Sequence, residues 1–207
     1  MSDFIRRRIA KLEARVAKLV RDGAYRRALE SQEDVCRLTR WHLGEDHPSF
    51  VRHLDALAEI YRELGDEAAA RRCYESSSQR LSDQIRTLYP QLLDEKHPSR
   101  LPEGRHALET ARKLNRLAML QWRLGEHQEA TRMLRKALVL CRRQLGARHP
   151  GFAILINNLA EVYQSIGDVK KAEILYRRAL KIFGETLGKD HPEFVQSLCA
   201  LLSLYGT

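Results

Sequence analysis

Three stretches of this sequence can be laid over one another: LDALAEIYRELGDEAAARRCY at 54–74, LNRLAMLQWRLGEHQEATRML at 114–134 and INNLAEVYQSIGDVKKAEILY at 156–176. Their glycines Gly65, Gly125 and Gly167 form one series with Gly23. The spacing is 42 residues, except between Gly65 and Gly125, where it is 60. A period of this size excludes a single globular core as the organising unit. Each copy is a supersecondary element that buries its apolar face only by stacking on its neighbours.

Within a copy the apolar residues recur at helical spacing twice. Ile156, Leu159, Ala160, Tyr163 and Ile166 share one face, Gly167-Asp168 breaks the pattern, and Ala172, Leu175, Tyr176, Ala179 and Phe183 share a second face. The sequence therefore predicts a pair of helices per repeat. Small residues, Ala58, Ala118 and Ala160 on the first helix and Ala70, Ala130 and Ala172 on the second, mark where the two must approach closely. At the amino terminus Ile5, Ile9, Leu12, Val16 and Leu19 keep the same spacing, so this Arg-rich segment reads as a structural amphipathic helix.

Between repeats comes a second signature, LGEDHPSF, LGARHPGF and LGKDHPEF, which places His47-Pro48, His149-Pro150 and His191-Pro192 at matching positions. Glycine suits a left-handed cap at the end of one helix, and proline suits the first position of the next, where an amide hydrogen has no helical partner. Each histidine then flanks a helix start as a capping residue. A metal site is the competing reading. Equivalent residues in successive repeats lie at least a helix spacing of roughly 8–10 Å apart, whereas zinc gathers its ligand atoms within about 2.0–2.3 Å. The sequence thus predicts no metal and no cofactor.

The chain has 36 Lys+Arg against 27 Asp+Glu, and its pI of about 9.6 favours an acidic partner: an acidic peptide, a nucleic acid or a membrane surface. Charge alone does not choose among them. Cys36, Cys73, Cys141 and Cys199 are far apart and form no CxxC pair, which fits a reducing, cytoplasmic setting. No apolar run approaches the roughly 18 residues of a membrane span, so the sequence points to no membrane partner. No Walker loop, GxGxxG, HExxH or GxSxG occurs, and no catalytic residue is expected.

The pattern LA..Y...G....A...Y..AL followed by LG.DHP resembles the tetratricopeptide repeat, in its 42-residue form similar to kinesin light chain. The resemblance is strong around Gly167. It weakens at Arg15-Val16 in the first unit, and at Ser76-Ser77-Ser78, where an Ala-Leu pair is expected. It implies an all-α, right-handed superhelical solenoid of antiparallel helix pairs, whose first helices line a concave groove that binds peptides. The expected organisation is one array: repeat 1 at 1–46, repeat 2 at 47–88, an insertion with loop at 89–108, repeat 3 at 109–148, repeat 4 at 149–190, and an uncapped half repeat at 191–207. The insertion reads either as a tolerated surface loop or as a recognition loop. The apolar helix 192–205, with Leu201 and Leu204, is expected to be an assembly surface or the point where a longer chain continues.

The implied groove stripe is Glu13, Ala17, Val20; Asp55, Glu59, Arg62; Asn115, Met119, Trp122; and Asn157, Glu161, Gln164, with Arg112, Arg116 and Asn158 beside it. Its expected peptide-binding residues are Arg112, Asn115, Arg116, Met119, Trp122, Asn157, Asn158, Glu161 and Gln164. In similar repeats an Asn at the place of Asn158 holds the backbone of an extended peptide. A lysine clamp for a terminal carboxylate is missing, since Asp55 and Glu59 stand in its positions. The expected function is a non-catalytic scaffold that binds a peptide segment of a protein, with the chain's basic charge favouring an acidic one. The alternatives are a sensing fragment of a larger effector enzyme, of NTPase or caspase-like protease type, and a basic solenoid that binds nucleic acid. A solvated surface is the competing reading for each single residue.

Overall fold

A computed structural model describes residues 3–89 and 104–205, and the side chains of all of these but 3, 104 and 105. Among the described residues there are nine helices and no strand: α1 (Asp3–Arg21), α2 (Tyr25–Leu43), α3 (Pro48–Glu63), α4 (Glu67–Leu88), α5 (Gly104–Arg123), α6 (His127–Leu145), α7 (Pro150–Ser165), α8 (Val169–Thr186) and α9 (Pro192–Ser203). The fold is an all-α repeat solenoid. It forms two compact units, Met1–Gln84 and Ile85–Thr207. Of the segment expected as an insertion, residues 90–103 lie outside the described residues, and Gly104–Leu108 form the first turn of α5.

The helix boundaries follow from local chemistry. Pro48, Pro150 and Pro192 are the first residues of α3, α7 and α9. The preceding histidines accept hydrogen bonds at Nδ1 from the amides of Ser49 (3.2 Å), Gly151 (2.9 Å) and Glu193 (3.2 Å). The His-Pro pairs are thus helix starts. Gly44 and Gly146 have the expected positive φ (85° and 84°), but their ψ of 166° and 165° is extended and not left-handed helical. The physical reason is direction. Only glycine tolerates this region, and it sends the chain straight towards the next His-Pro start instead of curling it back over the helix.

In the first unit α1, α2 and α3 share a core of Val16, Leu19, Ala28 and Ile60. A second cluster joins Cys36, Phe50, Leu54 and Leu57. The departures from the repeat pattern are accommodated here by polar bonds. Ser77 stands where Ala137 and Ala179 stand in later repeats. It is fully buried, and its hydroxyl lies 3.2 Å from the Val51 carbonyl and against the Asp55 carboxylate. Gln32 occupies the place of Tyr74, Leu134 and Tyr176, and its buried amide donates to the His53 carbonyl at 2.9 Å. Both groups satisfy the rule that a buried polar atom needs a partner.

In the second unit the close-approach alanines Ala118, Ala130, Ala160 and Ala172 are wholly buried, as the pairing of first and second helices requires. Large side chains fill the space between them: Leu114, Leu117, Met133, Leu134, Leu140, Ile156, Tyr176 and Phe183. Along α9 and the two residues after it the apolar side chains divide. Leu204, expected on an exposed assembly face, is buried, whereas Val195, Leu198, Leu202 and Tyr205 are exposed. Leu204 matches Val162, which is buried at the corresponding position 42 residues earlier.

Candidate functional site

Five of the sequence-predicted residues lie on α5. Arg112, Asn115, Arg116, Met119 and Trp122 fall within one arc at i, i+3, i+4, i+7 and i+10. Arg112 is exposed, and the other four are half-buried. The remaining four, Asn157, Asn158, Glu161 and Gln164, are half-buried on α7. The two helices are tied side by side by Asn158 Nδ2, which donates to Asn115 Oδ1 at 2.8 Å, and by Trp122 Nε1, which donates to Ser165 Oγ at 2.9 Å. The Trp122 ring also has the Arg123 guanidinium 6.0 Å from its centre.

The polar residues of α7 serve two directions. Asn157 accepts from Ser197 Oγ of α9 at 2.7 Å and donates to Glu161 at 2.9 Å. Gln164 accepts from Tyr176 OH of α8 at 2.8 Å and donates to Ser203 of α9 at 3.1 Å. These two side chains bind α7 to its neighbours. Asn158 differs: only its bond to Asn115 is made among the described residues, which leaves its Oδ1 and one N–H, and the amide nitrogen of Asn115, without a side-chain partner there. Burial pushes the Glu161 carboxyl up from its ordinary value, against the opposing Asn157 hydrogen bond and Arg123 charge.

Beside the Asn pair lies a pocket of about 450 Å³. Leu108, Ala111, Arg112 and Asn115 of α5 form one wall. The end of α6 adds Cys141 and Leu145, and the start of α7 adds His149, Pro150, Gly151, Ile154 and Leu155. Its lining is mostly apolar, with Arg112 and Asn115 as polar groups. Burial raises the Cys141 pKa, so the thiol lines the pocket as a small apolar group and not as a thiolate. Sequence reading placed Arg112 and Asn115 here but missed the rest of the wall. His149 was legible as a cap, but Leu145, Ile154 and Leu155 carried no signal beyond helical apolarity.

A wider recess of about 780 Å³ opens at the opposite end of the helices, around His127, Glu129, Arg135 and Tyr163. Its charged groups are largely occupied internally. Arg135 donates to Tyr163 OH at 2.9 Å, and Glu129 pairs with Arg132. In the first unit the stripe residues are also engaged: Asp55 meets Ser77, and Glu59 accepts from Tyr74 OH at 2.9 Å. Among the described residues no group of three or more His, Cys, Asp or Glu side chains is placed to hold a metal ion.

Models of the tetratricopeptide repeat match residues 19–49, 54–78, 109–185 and 152–207. No curated protein matches the chain in sequence. Among solved structures, a kinesin-light-chain-like protein of Podosopora anserina with nearly identical tetratricopeptide-like repeats is similar over 100% of this chain and 88% of its own, at 23% identity and a TM-score of 0.64. A second structure of that protein covers 96% and 86%, at 24% identity and 0.61. BtubC (BKLC) of P. vanneervenii covers 99% and 84%, at 20% identity and 0.56. The repeated helix pairs, their His-Pro starts and these matches lead to one conclusion: the chain belongs to the tetratricopeptide-repeat family, with a fold like that of the kinesin-light-chain type.

Proposed function

We propose that this protein is a non-catalytic interaction scaffold that holds a peptide segment of a partner protein along the α5–α7 face. The observation that carries this reading is the apolar pocket flanked by Arg112, Asn115 and Asn158. A pocket of about 450 Å³ takes one large apolar side chain of a ligand. Beside it, Asn158 and Asn115 offer an acceptor and donors to the backbone of an extended peptide. Arg112, which makes no ion pair among the described residues, faces the next ligand residue with a bidentate donor suited to a carboxylate. Further along α5, Met119 and Trp122 supply an adaptable and an aromatic surface of the kind enriched at binding hot spots. The peptide this site fits has an apolar anchor with an acidic residue near it.

A displayed random-peptide library, selected on the purified chain, tests this reading. Enriched peptides should pair an apolar anchor with Asp or Glu. Their affinity should fall at least tenfold in Arg112→Glu and in Asn158→Ala, but not in Arg143→Glu, which changes an exposed cation of α6 outside the pocket. Peptides that bind all three variants equally would place the site elsewhere.

A further inference from the structure

The outward face of α1 has no role in the peptide site. Ile9, Val16 and Leu19 turn inward. On the flank beside this face, starting about 20° round the helix from Leu19, Phe4, Arg7, Arg8, Lys11, Arg15 and Lys18 fall within one arc of about 100° at 3.6 residues per turn. All six are exposed, and none of the five cations makes an ion pair among the described residues. The arc holds no carboxylate between Phe4 and Lys18, so its charge is uncompensated over about 16 Å of helix at 1.5 Å per residue. Asp22–Ala24 turn the chain so that α2 runs back along α1. The carboxyl end of α2 therefore lies at the amino end of α1, and it carries Trp41. Trp41 at 84% and Phe4 at 72% are the two most exposed large apolar side chains among the described residues.

We propose that this end of the α1–α2 hairpin docks the protein reversibly on an anionic lipid surface. Phe4 and Trp41 enter the boundary between headgroups and acyl chains, and the five cations lie over the lipid headgroup charges. Aromatic side chains favour that boundary, and cations near an anionic leaflet add to the attraction. The geometry favours lipid over the other acidic partners. A track for single-stranded nucleic acid interleaves aromatic side chains with cations along a groove; here the aromatics stand at one end of the hairpin and not between the cations. An acidic partner helix needs an apolar seam to pack on, and the arc has no apolar residue between Phe4 and Lys18. A membrane surface asks only for one charged face and an apolar tip. No helix among the described residues is long and apolar enough to span a membrane, so the contact is peripheral.

The experiment is co-sedimentation of the full chain with vesicles of phosphatidylcholine alone, or with about a third phosphatidylserine, at low and high salt. Binding should require phosphatidylserine and disappear at high salt. With Trp122→Phe, Trp41 is the sole remaining tryptophan of the two in the sequence, and its emission should shift to the blue on phosphatidylserine vesicles. Lys11→Glu with Arg15→Glu should weaken binding by about fivefold or more per cation, and Phe4→Ser with Trp41→Ser should weaken it even at low salt. These positions are exposed, so helicity by circular dichroism should not change. Three results would overturn the proposal: equal binding to neutral vesicles, no binding to either kind, or unchanged binding in both double variants. Tight binding of an oligo-uridine that the same variants abolish, without vesicle binding, would assign the face to nucleic acid.

Discussion

At the scale of residues, the imidazole cap shows how one side chain sets a helix start. Gly151 lies 2.9 Å from the His149 Nδ1, while Ser49 and Glu193 stand 3.2 Å from their histidines. A Cβ added at Gly151 would meet His149 Nδ1 at 3.1 Å, so the glycine permits the tighter bond. His149→Ala should cost about 0.5–2 kcal/mol of stability, and His149→Asn should recover most of it, both measured by urea unfolding. Gly151→Ala should cost less, because a displaced imidazole still makes the longer bond seen at the other two starts. Glu161 provides a pH-dependent case. Its folded pKa is raised, chiefly by burial, so its contribution to stability is present below the unfolded value and is lost as pH rises through the folded one. Glu161→Gln keeps an acceptor for Asn157. It should raise the unfolding midpoint by about 1–2 °C at pH 7, with the gain vanishing near pH 4. An equal gain at both pH values would mean that the carboxylate charge is not the cause.

At the scale of elements, quasi-equivalent positions carry different chemistry because their neighbours differ. Ala160 of α7 is wholly buried, and the matching Leu202 of α9 is 60% exposed. Tyr163 and Tyr205 show the same contrast. Ala160→Leu should therefore cost about 1–3 kcal/mol by overpacking, whereas Leu202→Ala should change stability by no more than about 0.5 kcal/mol. Thermal unfolding of the two variants checks both. The spacing of apolar residues revealed that α9 is amphipathic. It did not reveal which leucines are covered, since Leu201, Leu202 and Leu204 are all compatible with an apolar face. In the folded chain Leu204 is covered and Leu202 stays outside.

At the scale of the whole molecule, each of the two units packs its own helices. The solenoid's stability is a sum of local pairings, each spanning a helix pair and its neighbours. Leu134 is fully buried in the second unit, and Leu134→Ala should cost about 2–5 kcal/mol. Native-state hydrogen exchange should show that loss in the amides of α5 to α8, with smaller changes in α1 to α3. A uniform loss across the chain would show one cooperative unit instead. The same architecture allows two surfaces of different chemistry on one scaffold. The proposed peptide face uses α5 and α7 of the second unit, and the proposed lipid contact uses α1 and α2 of the first. Each draws its residues from adjacent helices.

The sequence by itself determined the repeat, the helical pairing, the His-Pro starts and the small residues at the helix crossings, because each depends on spacing within one turn or one repeat. It also located the Arg112, Asn115, Met119 and Trp122 arc, since a helix carries its own face in its periodicity. Tertiary structure alone decided the rest. Gln32 and Ser77 break the repeat pattern in sequence, but their partners lie 21 and 26 residues away, at the His53 and Val51 carbonyls. The division of labour between Asn157, bonded to Ser197, and Asn158, bonded to Asn115, is likewise invisible in the string NN. One residue of offset on a helix turns a side chain by about 100°, so adjacent asparagines meet different helices. The pocket wall from three helix segments, and the meeting of Phe4 with the Trp41 end of the hairpin, arise only when the chain folds back on itself and places distant residues side by side.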